Sequence, residues 1–565
     1  MESRGVRVQK AALQRVLDEV LLDQTSFHDS ATQRGLSNGT STTPTIRDRS
    51  SNERIRGHHR SRKANVVVPN PGSRSSRRPN NSLAAFNDDG GGEQAPGPVG
   101  LLDDAGQLAV NVFLHACVTD AHWTFMTDLL GRQDAGGPAV MHAMKACGMT
   151  VLIGSRPPSS VQTTAEQVDY THAVRSLQPL LENSVHVRDD STLLAVFLLG
   201  LYEPISTDRT TNASKPSQYK AHIRGATELL RLRGPDTFTS TAAAALFLDW
   251  RPQILFVCLW DCDPVPEFLL DWPKWLETDK IDPNVRRVEE LYGVLARILN
   301  LRAEIAAPQP SMNKETLMRE MITLTNALDR WEASARTSGS WRYHAVPKAE
   351  TQCSIEYVWS IKTYAYTQPY TVSGWNMYRM IRILLHLMFR AIYIEKSAES
   401  AGQQNLEVFT AARKLMVDDI CASFAAVIGE GVELTPHPRS KFVRAYQAVW
   451  SLFFAGISLL VALQDGSSGA ERCYQEIQLS WIMSKLRLLW RVHGIKWAAG
   501  PLVALTQSDR VPVEYQQFLD NMIKLPRRAA EPHRKSTPPT RQGGPDSSSS
   551  RLSSSQITTA LISCW

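Results

Sequence analysis

Residues 192–202 read TLLAVFLLGLY, eleven consecutive residues without a charge. Wound as a helix, this segment presents apolar side chains on every face. A helix with no polar side belongs deep inside a large core. Downstream, Ile223, Ala226, Leu229 and Leu230 fall on one face of a second helix. Gly225 allows a neighbouring helix to approach closely, and Gly234 offers a stop before Pro235.

The same periodicity extends outward in both directions. Apolar residues recur at helical spacing from Leu101 to about Leu525. Residues 282–304, 316–332, 376–396 and 405–428 are the longer amphipathic stretches. No good run of alternating strand pattern appears, and no Asn-Gly hairpin signal lies between such runs. Pro and Gly clusters punctuate instead, at Gly136-Gly137-Pro138, Arg156-Pro157-Pro158, Gly234-Pro235 and Pro436-His437-Pro438. Residues 203–218, rich in Ser, Thr, Asn and Pro, read as an exposed insertion. The fold class predicted is all-α: one large multi-helix domain over 101–525 with disordered N- and C-terminal tails.

The flanks differ in composition. Residues 8–23, within the segment 1–25, form a short amphipathic pattern on Val6, Leu13 and Val20, too few heptads for a coiled coil. Residues 26–100 read as a disordered basic linker and 526–565 as a disordered Ser/Pro/Arg-rich tail, because sparse apolar residues cannot offset the entropy of ordering. Residues 1–100 hold 15 Lys and Arg against 10 Asp and Glu; residues 521–565 hold 7 against 2. The chain carries +6 in total, so the body between these flanks is mildly acidic and does not suggest a nucleic-acid surface. Arg54, Arg56, Arg60, Arg62 and Lys63 make a candidate nuclear localisation patch; a solvated linker explains them equally well.

Several chemistries find no footing. The eight cysteines are scattered, as suits a reducing compartment. No signal peptide is evident, since Asp18, Glu19 and Asp23 interrupt the first 25 residues. Cys258 and Cys262, four apart, read as a buried pair on a helix, and His115 and His122 alone make too few ligands for zinc. No Gly-x-Ser-x-Gly elbow, phosphate loop or dinucleotide fingerprint occurs. The segment Ala445–Gln464 is long enough to span a membrane, but Gln447, Ser451, Ser458 and Gln464 favour a buried core helix. No catalytic residue, cofactor or metal is expected, and an enzyme of unrecognised type stands as the remote alternative.

Four groups of residues, in order, carry a family resemblance. Tyr170 to Glu203 includes Ala173, Leu177, Leu180, Asp190, Leu193 and Tyr202. His222, Gly225, Ala226, Arg233 and Gly234 follow. Trp375, Tyr378, Arg379, Arg382 and His386 form the third group. Asp419, Cys421 and Ser423 form the fourth, with Gly494-Ile495 before Ala498 beyond it. This body, from about 105 to 520, resembles the fungal-specific transcription factor domain that follows binuclear zinc clusters, in its second subfamily. The resemblance implies a nuclear transcription regulator, and members often sit beside secondary-metabolite genes. It implies other transcription factors or a second copy of the chain as partners, DNA contacted only indirectly or non-specifically, no membrane, and a small-molecule effector as a further option. Family members usually carry six zinc-binding cysteines near the start, whereas the first cysteine here is Cys117. This leaves two readings: a regulator without its own zinc cluster, or a complete zinc-cluster factor whose gene model has lost its N-terminus.

Overall fold

A computed structural model describes residues 99–523, except 119–122, 124, 131–133, 155–161, 207–215, 235–236, 239, 272–281, 308–309, 352, 369, 395–399, 430–440 and 507–510. The short helix expected near the N-terminus, the localisation patch Arg54–Lys63, the basic linker and the tail 526–565 lie outside the described residues. The described helices from Asp103 onward belong to one compact unit.

The apolar segment 192–202 is the middle of helix α5, Asp190–Ser206, and every residue from Ser191 to Ile205 is buried. Before it come α1 (Val99–Cys117), α2 (Phe125–Leu130), α3 (Gly137–Gly154) and α4 (Gln162–Glu182). Helices α3, α4 and α5 pack on one another, and α5 packs on α6 (Pro216–Arg233). The insertion expected at 203–218 is therefore shorter. Glu203, Pro204 and Ile205 continue α5 into the core, because Ile205 finds apolar neighbours and Glu203 finds polar ones. Gly148 sets the approach of α3 to α1: a Cβ there would collide with the Ala109 carbonyl oxygen.

Helix α7 (Thr241–Asp261) begins where Ser240 Oγ accepts the Ala243 amide at 3.0 Å. It ends at Cys262, which adopts φ 57°. Cys262 is thus the left-handed terminator of the helix, and the expected i, i+4 pair on a helix is corrected. Cys258 is buried while Cys262 is partly exposed. After the single turn α8 (Phe268–Asp271), α9 (Pro283–Ala306) is capped by Asp282 with Pro at its first position, and α10 (Lys314–Thr337) is capped by Asn313.

A hairpin then interrupts the helices. Strands β1 (Tyr343–Pro347) and β2 (Lys362–Tyr366) pair antiparallel, with Tyr343 opposite Tyr366 and Ala345 opposite Tyr364. No strand was predicted here, so this element corrects the reading of an uninterrupted helical body. The long helices α11 (Thr371–Ile394), α12 (Ser400–Val427) and α13 (Lys441–Gln464) pack on one another, and β2 lies on α12. Helices α14 (Gly469–Arg491), α15 (Ala499–Leu505) and α16 (Val513–Ile523) close the end of the body.

One hydrophobic cluster runs from Val110 to Met522. Two helical segments, 242–261 and 445–464, are long and apolar enough to cross a membrane. The second is 83% buried against its neighbours, as a core helix should be. The fold class is all-α, with the small hairpin as its β element among the described residues.

Candidate functional site

The residues singled out in the sequence gather in two buried polar clusters. The first joins α4, α5 and α6. Tyr170 donates its hydroxyl to Glu203 Oε1 at 2.8 Å and lies 3.0 Å from His222 Nε2. His222 Nε2 in turn stands 3.4 Å from Glu203 Oε1. All three side chains are withdrawn from solvent, so each polar atom must find its partner inside the protein. At the other end of α6, Arg233 donates to Asp190 Oδ1 at 2.6 Å, and its guanidinium lies 4.8 Å from the Phe238 ring centre. Asp190 occupies the first turn of α5, where the helix dipole favours a negative charge. Gly234, at φ 71°, ends α6 with its amide on the Leu230 carbonyl. Gly225 and Ala226 are buried on the same helix.

The second cluster centres on Arg379 of α11, which is 1% exposed. Its Nη1 donates to Tyr366 Oη at 3.0 Å, Asn376 Oδ1 at 2.8 Å and Ser423 Oγ at 2.7 Å. Asp419 lies 3.7 Å from its Nε and accepts the Tyr364 hydroxyl at 2.6 Å. The guanidinium also faces the rings of Tyr343 and Tyr364, at 5.4 and 5.7 Å from their centres. Burial works against the Arg379 charge. The oxygens of Tyr366, Asp419 and Tyr343 outweigh it and raise the pKa above its ordinary value. Burial likewise pushes the Tyr364 phenol up, aided by its hydrogen bond to Asp419. This arrangement clamps the hairpin between α11 and α12.

Around this centre the remaining motif residues form a ring. Trp375 donates Nε1 to the Trp341 carbonyl at 3.0 Å, and Trp331 stacks on Tyr378 at 5.3 Å. Tyr378 donates to Glu332 Oε2 at 2.5 Å and accepts from Arg382 Nε at 3.0 Å. Arg382 reaches Asp329, which is itself 42% exposed, so the arginine stem is buried and its head meets the rim. Burial raises the Glu332 carboxyl, but hydrogen bonds from Tyr378 and Arg336 dominate and hold it below the ordinary range. His386 lies deeper. Burial, with the Arg382 and Arg413 charges, lowers its pKa to about 3, so it is neutral across the physiological range. Cys421 is fully buried with Gln478 Nε2 3.7 Å from its sulfur, and burial carries its thiol well above the usual value.

Both clusters bridge helices and so orient them; the first is withdrawn from solvent, and the second runs from buried Arg379 out to the rim at Asp329. Among the described residues, no group of three or more His, Cys, Asp or Glu is placed to hold a metal ion. His115 is exposed on α1, and His122 lies outside the described residues.

Comparison with protein-family models matches residues 110–388 to the fungal specific transcription factor domain. Residues 110–388 belong to the fungal-specific transcription factor domain family. The match runs from the last part of α1 through most of α11, hence the whole first cluster and, from the second, Trp375, Tyr378, Arg379, Arg382 and His386. It stops short of the extent to 520 expected from the sequence, and Asp419, Cys421 and Ser423 lie beyond it. Asp419 and Ser423 nonetheless complete the second cluster, so α12 is joined to the matched domain by polar contacts with Arg379. No curated protein and no solved structure matches the chain.

Sequence reasoning singled out Asp190, Glu203 and Asp419 without their partners, and it missed Asp329 and Glu332, which belong to ordinary helical stretches and give no local sign of their pairing. Tyr364 and Tyr366 did leave a trace: in KTYAY the aromatic residues alternate with Thr363 and Ala365, a period of two.

Proposed function

We propose that this protein is a nuclear transcription regulator that acts through its helical body and relies on a partner for specific DNA contact. The observation that carries the reading is the fungal-specific transcription factor domain over residues 110–388. Within these 565 residues no cysteine precedes Cys117, so residues 1–116 supply no thiolate set for a zinc cluster, and specific DNA contact by these residues calls for a partner. The domain is read as a regulatory module without catalytic residues or a resident cofactor. Its natural partners are other transcription factors or a second copy of the chain, with no membrane involved. Import through Arg54, Arg56, Arg60, Arg62 and Lys63 fits this reading, as does control of secondary-metabolite genes, a setting frequent in the family.

Specific recognition needs side chains at base edges, fixed in register by phosphate contacts. A basic segment alone gives phosphate contacts, and these fade steeply with salt. The 565-residue chain should therefore bind duplex DNA weakly and without sequence preference, with Kd no tighter than ~1 μM at physiological salt. A gel-shift titration with specific and scrambled competitors measures this. Nanomolar, competitor-resistant binding by the pure chain would overturn the reliance on a partner.

A further inference from the structure

A cavity of about 400 Å³ opens between α2, the start of α3 and the start of α5. Leu129, Leu130, Val140 and Met141 give it an apolar lining, and Asp134 and Ser191 give it two polar groups. Its size falls within the range of small-molecule sites, roughly 300–1,000 Å³.

Each of the two polar residues has an orphaned side-chain atom. Ser191 is 3% exposed, and its Oγ has no hydrogen-bond partner. Asp134 Oδ1 is likewise buried without one. Buried polar atoms are nearly always paired, and each one left unpaired costs about 1–3 kcal/mol. Two such atoms facing one apolar cavity point to a partner that comes from outside the chain. A single water, with a liquid-volume share of about 30 Å³, fills little of this space, and the apolar lining gives further waters few partners. The serine is also seated closely by its neighbour. A Cβ at Gly136 would collide with Ser191 Oγ, so only glycine leaves room for the hydroxyl.

The groups define the ligand. A carboxylate oxygen accepts hydrogen bonds, and a serine hydroxyl accepts or donates. The complement is a ligand that donates. Two helix N-termini, Gly137 of α3 and Asp190 of α5, flank the cavity with their partial positive ends. These suit a carboxylate in the wall and disfavour a cationic ligand, so a hydroxyl is the better complement than an ammonium group. We propose that this cavity binds a small, neutral, largely apolar molecule bearing a hydroxyl group, which donates to Asp134 and pairs with Ser191. Its position matters for the fold, because the neighbouring Asp190 holds Arg233 of α6. A molecule seated there touches the first turn of the most deeply buried helix. Binding at this cavity is independent of the transcriptional reading.

The test is titration of the full-length protein with 2-naphthol by isothermal calorimetry, with 2-methoxynaphthalene as the matched compound that cannot donate. The expected result is saturable one-to-one binding of 2-naphthol, and binding of the methoxy compound at least ~10-fold weaker, as loss of one buried hydrogen bond implies. Asp134→Ala should weaken 2-naphthol by a similar factor and leave the methoxy compound unchanged. Met141→Trp, at the half-exposed rim, should fill the cavity and abolish binding of both. Circular dichroism and melting of each variant report folding, and the rim variant keeps the test sound if a change nearer the core unfolds the protein. Absence of saturable binding up to millimolar 2-naphthol overturns the proposal. Equal affinity for the two compounds, or binding that survives Met141→Trp, also overturns it.

Discussion

Asp249 on α7 shows how strongly one position depends on its surroundings. Burial raises its carboxyl pKa, the Glu289 charge raises it further, and a hydrogen bond with Trp123 offsets part of this; the result is about 7. The folded protein therefore holds a proton that the unfolded chain releases between the ordinary aspartate value of 3.8 and about 7. In that window the native state binds more protons, so this group lowers stability as pH rises. His386 has the opposite sign. Its folded value of about 3 lies below the ordinary 6.5, so its contribution is lost as pH falls between them. Asp249→Asn keeps an oxygen for Trp123 and removes the titration. It should gain at least ~1 kcal/mol over the parent near pH 8 and show no gain near pH 4. Urea unfolding at the two pH values measures it, and an equal gain at both would detach the effect from the carboxyl. Nothing in the local sequence TAAAALFLDW marks this aspartate as different from one on a solvated face.

At the scale of elements, the helices were legible and the hairpin was not. Helical periodicity repeats over many turns, so 282–304 and 316–332 announce themselves and reappear as α9 and α10 with caps at Asp282 and Asn313. The hairpin has five residues per strand and a connection of 14 residues, 348–361, without a tight-turn signature. A two-stranded hairpin is marginal on its own and needs packing to persist. Here α11 and α12 supply it through Arg379, Ser423 and Asp419. The second cluster is thus what makes β2 a strand, and that cause lies more than ten residues away in the chain. Asp419→Ala removes the acceptor for Tyr364 and leaves Arg379 without its carboxylate. It should lower unfolding free energy by roughly 3 kcal/mol, as expected when a buried ion pair loses one member. Tyr364→Phe removes the hydroxyl that donates to Asp419 and accepts from Lys362, keeps the Arg379–Asp419 pair, and should lose only about 1–2 kcal/mol. Denaturant titration of the two variants orders them, and a larger loss for Tyr364→Phe would refute the central place given to Arg379.

Across the whole molecule, the matched domain ends before the core does. The family match stops at residue 388, within α11, yet Leu384, Leu385 and Met388 of that helix are buried in the cluster that continues to Met522. Helices α12 and α13 pack directly on α11. A chain ended at Ile394 would expose this apolar face, and several large side chains each forfeit about 1.5–3 kcal/mol when returned to water. Such a chain should melt without a cooperative transition and bind a hydrophobic dye, whereas the full chain should melt cooperatively. A cooperative melt of the shortened chain at the parent's temperature would make α12 to α16 a separate unit.

The sequence by itself determined the all-α class, the buried position of residues 192–202 and 445–464, and the family. Each of these is written in side-chain periodicity and composition, which act over a turn or two of helix and survive without knowledge of distant partners. The tertiary structure alone decided which charges are buried and with whom. Arg379 meets Asp419, Arg382 meets Asp329, and Tyr170 meets both Glu203 and His222. It alone also decided that Asp134 and Ser191 share a cavity and that β2 is a strand. The physical reason is that a polar group's energy depends on its dielectric surroundings and its partners. Both are fixed only when segments far apart in the chain come together.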